Sequence, residues 1–238
     1  MRVSVFALLL LSLLPACARE RDAGTFEGAP VILISIDTLR SDRLPIYGYG
    51  KVETPHLDAL RRDGILFESA WSHCPMTLPS HVSMLTGLLP TEHGVRNNLG
   101  YRFDAAKQPT LPGVLSARGY ATGAAVSSYV LRADTGLGDA FDFYDDAIPV
   151  ATAGSASQHQ RSGAATLRAA TAWIGERGAQ PFFLLFHLYE PHAPYAPPEP
   201  HASRYASEPY DGEVAAADAL TGELIASACA TSPSYGSA

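Results

Sequence analysis

The chain has 238 residues, a formal net charge of −7 and three cysteines. This length supports one sizeable α/β domain, and an apolar content of 47% excludes a disordered chain and a protein with many membrane spans. No basic run stands out, which argues against nucleic acid as a partner. Three cysteines are too few for a disulfide framework, so burial of apolar side chains must hold the fold together.

The N-terminal segment predicts export and attachment to a membrane. Arg2 precedes about fourteen mostly apolar residues, a run that is typical of a signal peptide and too short to span a bilayer comfortably. It ends in Leu-Leu-Pro-Ala-Cys, which resembles a bacterial lipobox and implies cleavage before Cys17 and attachment of lipid to its sulfur. We therefore expect a signal peptide at 1–16, a polar tether at 17–29, and a lipid-anchored protein of the bacterial cell envelope, outside the cytoplasm. The alternative is a simple secretory signal that happens to contain a cysteine.

Four segments further along have the composition of strands. PVILISID (30–37) and PFFLLFHL (181–188) are continuous apolar runs, as in strands that are buried on both faces of a parallel sheet. ILFESAW (65–71) and the small-residue run YATGAAVSS (120–128) also predict strands.

Helical patterns alternate with these strands. In the first helix we expect Thr54 as the N-cap, Pro55 in the first turn, Gly64 as the stop, and Leu57 and Leu60 as the buried stripe. Further helices are predicted at 78–87, 110–119, 163–178 and 211–227.

The alternation predicts the fold class and the domain bounds. Strands that alternate with helices form a mostly parallel sheet with helices on both faces, here an α/β domain over residues 30–228. Residues 150–158 read as a low-complexity loop, and the proline density of 190–200 excludes both helix and central strand. Residues 229–238 are expected to form an irregular tail.

Polar residues follow the two strongest strands, at the edge of the sheet where α/β proteins bind ligands. Asp37 follows the first strand, and His187 and His192 follow the last. A carboxylate there is a candidate metal ligand, although a lone Asp also commonly caps a turn. Thr77 lies just ahead of a predicted helix N-terminus; its hydroxyl is a candidate nucleophile if a base or a metal activates it, or simply a helix cap. Ser80 is disfavoured as a nucleophile because no Gly-x-Ser-x-Gly motif is present.

Several linked motifs resemble those of the sulfatase family, within the alkaline phosphatase superfamily. The resemblance runs through 31–98, resumes in GYATGAAVSS (119–128), and continues in PFFLLFHLYEPHAPYAPPEP (181–200) and YDGEVAAAD (210–218). It implies a metal-dependent hydrolase of sulfate or phosphate esters that uses Ca, Mg, Mn or Zn. The implied substrate is a small-molecule, glycan or lipid ester.

The resemblance also assigns roles to individual residues. The family motif is Cys or Ser, any residue, Pro, any residue, Arg; here Thr77 occupies the nucleophile position and His81 the arginine position. Threonine cannot become the formylglycine of sulfatases, but relatives that cleave phosphate esters use an unmodified threonine. His192 matches a histidine that contacts the ester, and Ser127 stands where a substrate-binding lysine is expected. Asp37 and Thr77 are the implied metal ligands.

Two departures from the family pattern favour a different function. Thr38 stands where a second acid is common, and no later Asp-His or Asp-Asn pair occurs before Ala238, although the family uses such a pair to complete the metal site. The alternative is therefore a truncated or degenerate, non-catalytic surface lipoprotein of the same fold. His187 is interpreted as a histidine packed at the end of a strand.

Overall fold

A computed structural model describes residues 28–149 and 159–231 of the chain. The predicted signal peptide, Cys17, most of the tether, the loop at 150–158 and the last residues of the predicted tail lie outside the described residues.

Four parallel strands form one sheet in the order β1, β4, β2, β3. Their bounds are Val31–Ile36 for β1, Ala121–Val126 for β2, Phe143–Asp145 for β3 and Phe182–Leu188 for β4. The central strand β4 pairs with β1 on one side and β2 on the other, and all seven of its residues are buried. The predicted parallel sheet is confirmed, and the central position of β4 explains its continuous apolar sequence. The prediction that β1 is also buried on both faces is wrong, because β1 lies at the edge of the described sheet and all six of its residues are exposed or half-buried.

Each predicted helix is present. The helices are α1 Pro55–Asp63, α2 Thr77–Thr86, α3 Pro90–His93, α4 Leu111–Ser116, α5 Gly163–Gly175, α6 His201–Arg204 and α7 Pro209–Thr231. Short 3-10 turns lie at Ser41–Arg43, Pro45–Tyr47, Tyr129–Leu131, Ala133–Thr135 and Gly138–Ala140.

Different helices cover the two faces of the sheet because side chains alternate along each strand. The even-numbered residues of β4, from Phe182 to Leu188, belong to a core shared with α5 and α7. Phe183 and Leu185 belong to a second core shared with α2. Each fully buried side chain of this size stabilises the fold by about 1.5–3 kcal/mol.

The small residues of β2 allow α5 to approach the sheet closely. A Cβ atom at Gly123 would lie only 2.7 Å from the Trp173 ring, closer than real side-chain contacts allow. Trp173 of α5 stacks on Phe143 of β3 and meets Phe182 of β4 edge-on. The small-residue pattern of β2 therefore makes room for one large aromatic ring that joins three strands.

The predicted strand at 65–71 does not form. This segment has no regular structure, and Ile65, Phe67 and Trp71 are 82%, 70% and 87% exposed. A strand needs a partner for its backbone groups, and the segment pairs with no strand of the described sheet. Local composition favoured a strand, and the missing partner decided against it.

The start of α1 is held differently from the prediction. Thr54 makes no side-chain capping bond; instead Asp218 of α7 accepts the backbone N–H groups of His56 and Leu57, at 3.2 and 2.8 Å. The expected stripe is also only partly inward, because Leu60 is 44% exposed. A carboxylate from another helix replaces the local cap, an arrangement that the sequence near Thr54 does not indicate.

Helix α7 is long and apolar enough to cross a membrane by length and composition alone. It nevertheless packs against α1 and α5, and its buried acids Asp211, Glu213 and Asp218 all accept hydrogen bonds inside the fold. We therefore interpret α7 as a core helix. It continues to Thr231, so the first residues of the predicted irregular tail are helical.

Candidate active site

Strand alternation brings the polar site residues to one face of the sheet. On β1, Ser35 and Asp37 alternate to the same face as Leu33, which packs against the core beneath α2. On β4, His187 lies on the same face as Phe183 and Leu185. β1 and β4 are parallel and paired Ser35 to His187, so these side chains emerge beside each other. The N-terminal end of α2 lies over this point.

Thr77 and Asp37 meet at the carboxyl edge of the sheet. Thr77 is the first residue of α2, and its hydroxyl donates to Asp37 Oδ2 over 3.3 Å, although the two residues are 40 positions apart. The structure therefore brings together the two residues that were predicted to share a metal ion.

His187 lies next to the Asp37 carboxylate and affects its pKa. His187 is fully buried, and its Nε2 lies 3.6 Å from Asp37 Oδ2, which is an electrostatic contact rather than a hydrogen bond. Burial alone would raise the pKa of Asp37, but the neighbouring His187, with smaller contributions from His192 and His81, lowers it below its usual value. Asp37 is therefore ionised at neutral pH.

His81 uses both ring nitrogens inside the fold. Its Nδ1 lies 2.7 Å from the carbonyl oxygen of Thr77, and its Nε2 lies 2.9 Å from the hydroxyl of Ser35. Burial, reinforced by the nearby His187, lowers the pKa of His81 to about 4, so the ring is neutral at pH 7. The expectation that His81 contacts the ester in place of an arginine is not supported by this geometry, because neither nitrogen faces the cavity unpaired.

Two of the amide groups at the start of α2 are also occupied. Asn98 accepts the N–H of Leu78 at 2.9 Å, Pro79 has no N–H, and the N–H of Ser80 bonds to the carbonyl of Met76. The start of α2 therefore does not offer an anion the row of free amides that an uncapped helix would. The sequence does not indicate that Asn98 caps the start of α2, because this asparagine lies beyond the C-terminal end of that helix.

Ser127 lies away from this cluster. It is fully buried at the end of β2, and its hydroxyl bonds to Thr166 of α5 over 2.6 Å. Thr166 in turn accepts from Arg161, which also pairs with Asp145. The hydroxyl of Ser127 therefore joins β2 to α5. The assigned role in substrate binding would need this residue beside Asp37, and the structure does not bring it there.

His192 lies on the proline-rich segment after β4. Its ring stacks on Tyr189 with the ring centres 4.3 Å apart, and its Nδ1 donates to the carbonyl of Ala193 over 2.7 Å. His192 is half-buried, and it is one of the minor causes that lower the pKa of Asp37. This position near the site is compatible with the predicted contact to an ester.

Glu213 of α7 anchors the same segment. It is 4% exposed and accepts the N–H of Ala196 over 2.7 Å. Burial raises the pKa of Glu213 to about 7, the bond from Ala196 opposes this, and the charge of Glu190 adds to it. The segment that carries His192 is therefore bonded to a buried carboxyl group whose pKa lies well above its usual value.

Thr38 does not replace the second acid of the family pattern. Its backbone φ is +51°, a left-handed conformation that costs a β-branched residue roughly 1–2 kcal/mol. Its hydroxyl donates to the carbonyl of Pro191 over 2.8 Å, and its carbonyl accepts from Tyr210. The strained turn directs the side chain of Thr38 to the proline-rich segment, and it reverses the chain directly after Asp37.

A cavity of about 530 Å³ opens over Thr77 and Asp37. One wall is the end of β1, another is α2, and the third is the irregular segment from Ala70 to Met76. Among the residues that line it, Asp37 carries the only fixed charge, and none is lysine or arginine. An anionic ester in this cavity would therefore meet a negative carboxylate with no fixed cation beside it.

The donors fit one side of a divalent-ion site. A carboxylate and a hydroxyl are oxygen ligands that hard cations prefer, and Asp37 Oδ2 and Thr77 Oγ1 are close enough to share an ion. Both nitrogens of the buried His187 also have no hydrogen-bond partner in the part of the chain that the structure describes. Within those same ranges, no group of three His, Cys, Asp or Glu side chains is arranged to hold a metal, so the described residues supply part of a ligand set.

The sulfatase family model matches residues 30–232. The chain belongs to the sulfatase family. The sheet is the parallel α/β sheet of that family's fold.

Curated relatives and solved structures agree with this assignment. The chain is 33% identical over 94 residues to an arylsulfatase of Clostridium perfringens, covering 39% of this chain and 19% of the relative. It is 33% identical over 117 residues to human iduronate 2-sulfatase, covering 48% and 21%. The chain thus spans about a fifth of the length of these sulfatases.

Two solved structures share the fold at low sequence identity. One is a protein in complex with its substrate D-glucosamine-2-N,6-O-disulfate, with a TM-score of 0.63 and 19% identity over 76% of this chain and 38% of the other. The other is a 2-O GAG sulfatase, with a TM-score of 0.66 and 16% identity over 87% of this chain and 55% of the other. At these identities the match establishes the sulfatase fold.

Proposed function

We propose that this protein hydrolyses sulfate esters, with the unmodified hydroxyl of Thr77 as the nucleophile. The observation that carries the proposal is the contact of Thr77 Oγ1 with Asp37 Oδ2 at the floor of the cavity, in the register of the family's nucleophile motif. Sulfatases among the matched relatives support sulfate esters as the substrate class. A small-molecule or glycan ester fits the glycan sulfates named for the matched structures.

The proposed chemistry is a double displacement. Thr77 Oγ1 forms a bond to sulfur while the bond from sulfur to the leaving alcohol breaks, and the hydroxyl proton passes to the oxygen of the departing alcohol. Water then cleaves the sulfated threonine and regenerates the hydroxyl. His192, on the proline-rich segment, is proposed to contact the ester oxygens.

A divalent ion is proposed to bind at Asp37 and Thr77, which supply part of its ligand set. When bound, such an ion lowers the pKa of a coordinated hydroxyl and neutralises the charge of the ester oxygens. The cavity lining supports this requirement, because its only fixed charge is negative.

The test is an assay of the full-length protein with 4-nitrophenyl sulfate and 4-nitrophenyl phosphate in parallel. We expect cleavage of the sulfate in the presence of Ca, Mg, Mn or Zn ions, and loss of that cleavage in excess EDTA. Cleavage of the phosphate alone would assign the site to phosphate esters. Cleavage of neither ester, with every ion, would favour the non-catalytic lipoprotein instead.

We also propose that the protein is held on the bacterial cell envelope by lipid on Cys17. The support is the apolar run that ends in the lipobox-like sequence. The mass of the mature protein from a membrane extract should equal that of the chain from Cys17 with added acyl groups. An unmodified soluble chain would contradict this.

A further inference from the structure

Two serine–histidine pairs involve residues of α2, one part-buried and one buried, and they differ in the direction of their hydrogen bonds. His81 contacts Ser35 of β1 and the Thr77 carbonyl, whereas His93 contacts Ser83 and the N–H of Val95. Only the first pair touches the residue proposed as the nucleophile.

The partners of each ring determine which nitrogen carries the proton. A carbonyl oxygen can only accept, so His81 Nδ1 must donate to Thr77, and in a neutral ring Nε2 then accepts from the Ser35 hydroxyl. A backbone N–H can only donate, so His93 Nδ1 must accept from Val95, and its Nε2 then donates to Ser83. The two histidines are therefore expected to be opposite neutral tautomers in one protein.

The bonds of His81 restrain the nucleophile. The carbonyl of Thr77 accepts from His81 Nδ1 at 2.7 Å and from the Ser80 hydroxyl at 3.1 Å, which fixes its peptide plane. Ser35 ties the far side of the same ring to β1, two residues before Asp37. The ring thus connects the backbone of the nucleophile to the strand that carries its acceptor.

We infer that Ser35 and His81 are positioning residues that hold the Thr77 hydroxyl against Asp37, and that His81 does not bind the ester. His81 therefore occupies the arginine position of the family motif while acting on the protein and not on the substrate. This inference rests on the proposed function only for its kinetic consequence, because the proton positions do not depend on any activity.

The first experiment measures the tautomers directly, by long-range ¹H–¹⁵N correlation spectra of the ¹⁵N-labelled full-length protein at pH 7. We expect His81 to carry its proton on Nδ1 and His93 on Nε2. Ser35→Ala should shift the Nε2 resonance of His81 and leave His93 unchanged. The matched control Ser83→Ala, which removes the hydroxyl partner of His93, should do the reverse. A proton on Nε2 of His81, or no response of His81 to Ser35→Ala, would overturn the inference whether or not the protein is a sulfatase.

The second experiment separates positioning from substrate binding by steady-state kinetics on 4-nitrophenyl sulfate. Displacing a nucleophile by a fraction of an ångström to 1 Å lowers turnover by about 10–100-fold, so His81→Leu should lower kcat by that factor with little change in KM. His81→Asn places an amide donor near the position of Nδ1 and should recover most of the loss. A rise in KM with kcat unchanged in both variants would show that His81 binds the ester.

Discussion

Replacing Thr77 with alanine is expected to abolish ester cleavage while leaving the protein folded. The hydroxyl is the atom proposed to attack sulfur, and removing a nucleophile lowers kcat by roughly 10³-fold or more. Thr77→Ser keeps the hydroxyl and loses one methyl group, so it should stay within about tenfold of the natural enzyme. kcat and KM on 4-nitrophenyl sulfate, with circular dichroism to confirm folding, measure both effects.

A matched control distinguishes chemistry from general loss of a threonine. Thr171 lies on α5, on the opposite face of the sheet, and its hydroxyl donates to the helix carbonyl of Leu167. Thr171→Ala should therefore leave kcat unchanged. If Thr77→Ala and Thr171→Ala have the same small effect, Thr77 is not the nucleophile.

Replacing Asp37 with asparagine is expected to remove metal binding and activity together. The side chain keeps its shape, and its amide oxygen can still accept the Thr77 hydrogen bond, but the charge that attracts a cation is lost. Outer partners of metal ligands already contribute 10–100-fold in affinity, so loss of the carboxylate should weaken divalent-ion binding by about 10²-fold or more. Calorimetric titration with each chloride salt and kcat/KM measure the two losses.

The control for this change is a carboxylate of the same chain in solvent. Asp42 is exposed and pairs with Arg40 on the surface, away from the cavity. Asp42→Asn should leave both ion affinity and kcat/KM unchanged. Retention of ion affinity by folded Asp37→Asn protein would place the metal elsewhere and refute the proposed site.

The geometry around Asp37 also explains why a bound cation is central to the proposed function. In related motifs an arginine follows the nucleophile, but here His81 is neutral and bonded to Ser35 and Thr77. Asn98 occupies an amide at the start of α2 that an anion could otherwise use. The cavity lining adds no lysine or arginine, so in the proposed function the ion supplies the positive charge that an anionic ester needs there.

Part of this site could be predicted because its signals are local. Asp37 comes directly after a recognisable strand pattern, and Thr77 lies at the start of a recognisable helix pattern. The resemblance to the family motif gives the register of Thr77. Ser127 was assigned by register alone, and the fold instead turns its hydroxyl to Thr166. The sequence predicts His187 as a histidine packed at the end of a strand. It is packed there, and because it lies on the same face of β4 as Phe183 and Leu185 it also lies beside Asp37.

Local patterns predicted the strands β1, β2 and β4, the helices α1, α2, α4, α5 and α7, and the end of the sheet at which polar residues gather. They did not predict the short strand β3, and they did not distinguish the central strand β4 from β1, which lies at the edge of the described sheet. The correct predictions follow from hydrophobic periodicity and from turn residues, which act over a few neighbouring positions. Contacts between distant segments determine that residues 65–71 remain unpaired, that Asp218 caps α1, and that Ser35 of β1 holds the ring of His81. Each of these depends on a partner from a distant part of the chain, because hydrogen bonds of buried groups are satisfied by whatever the fold brings within about 3 Å and not by sequence neighbours.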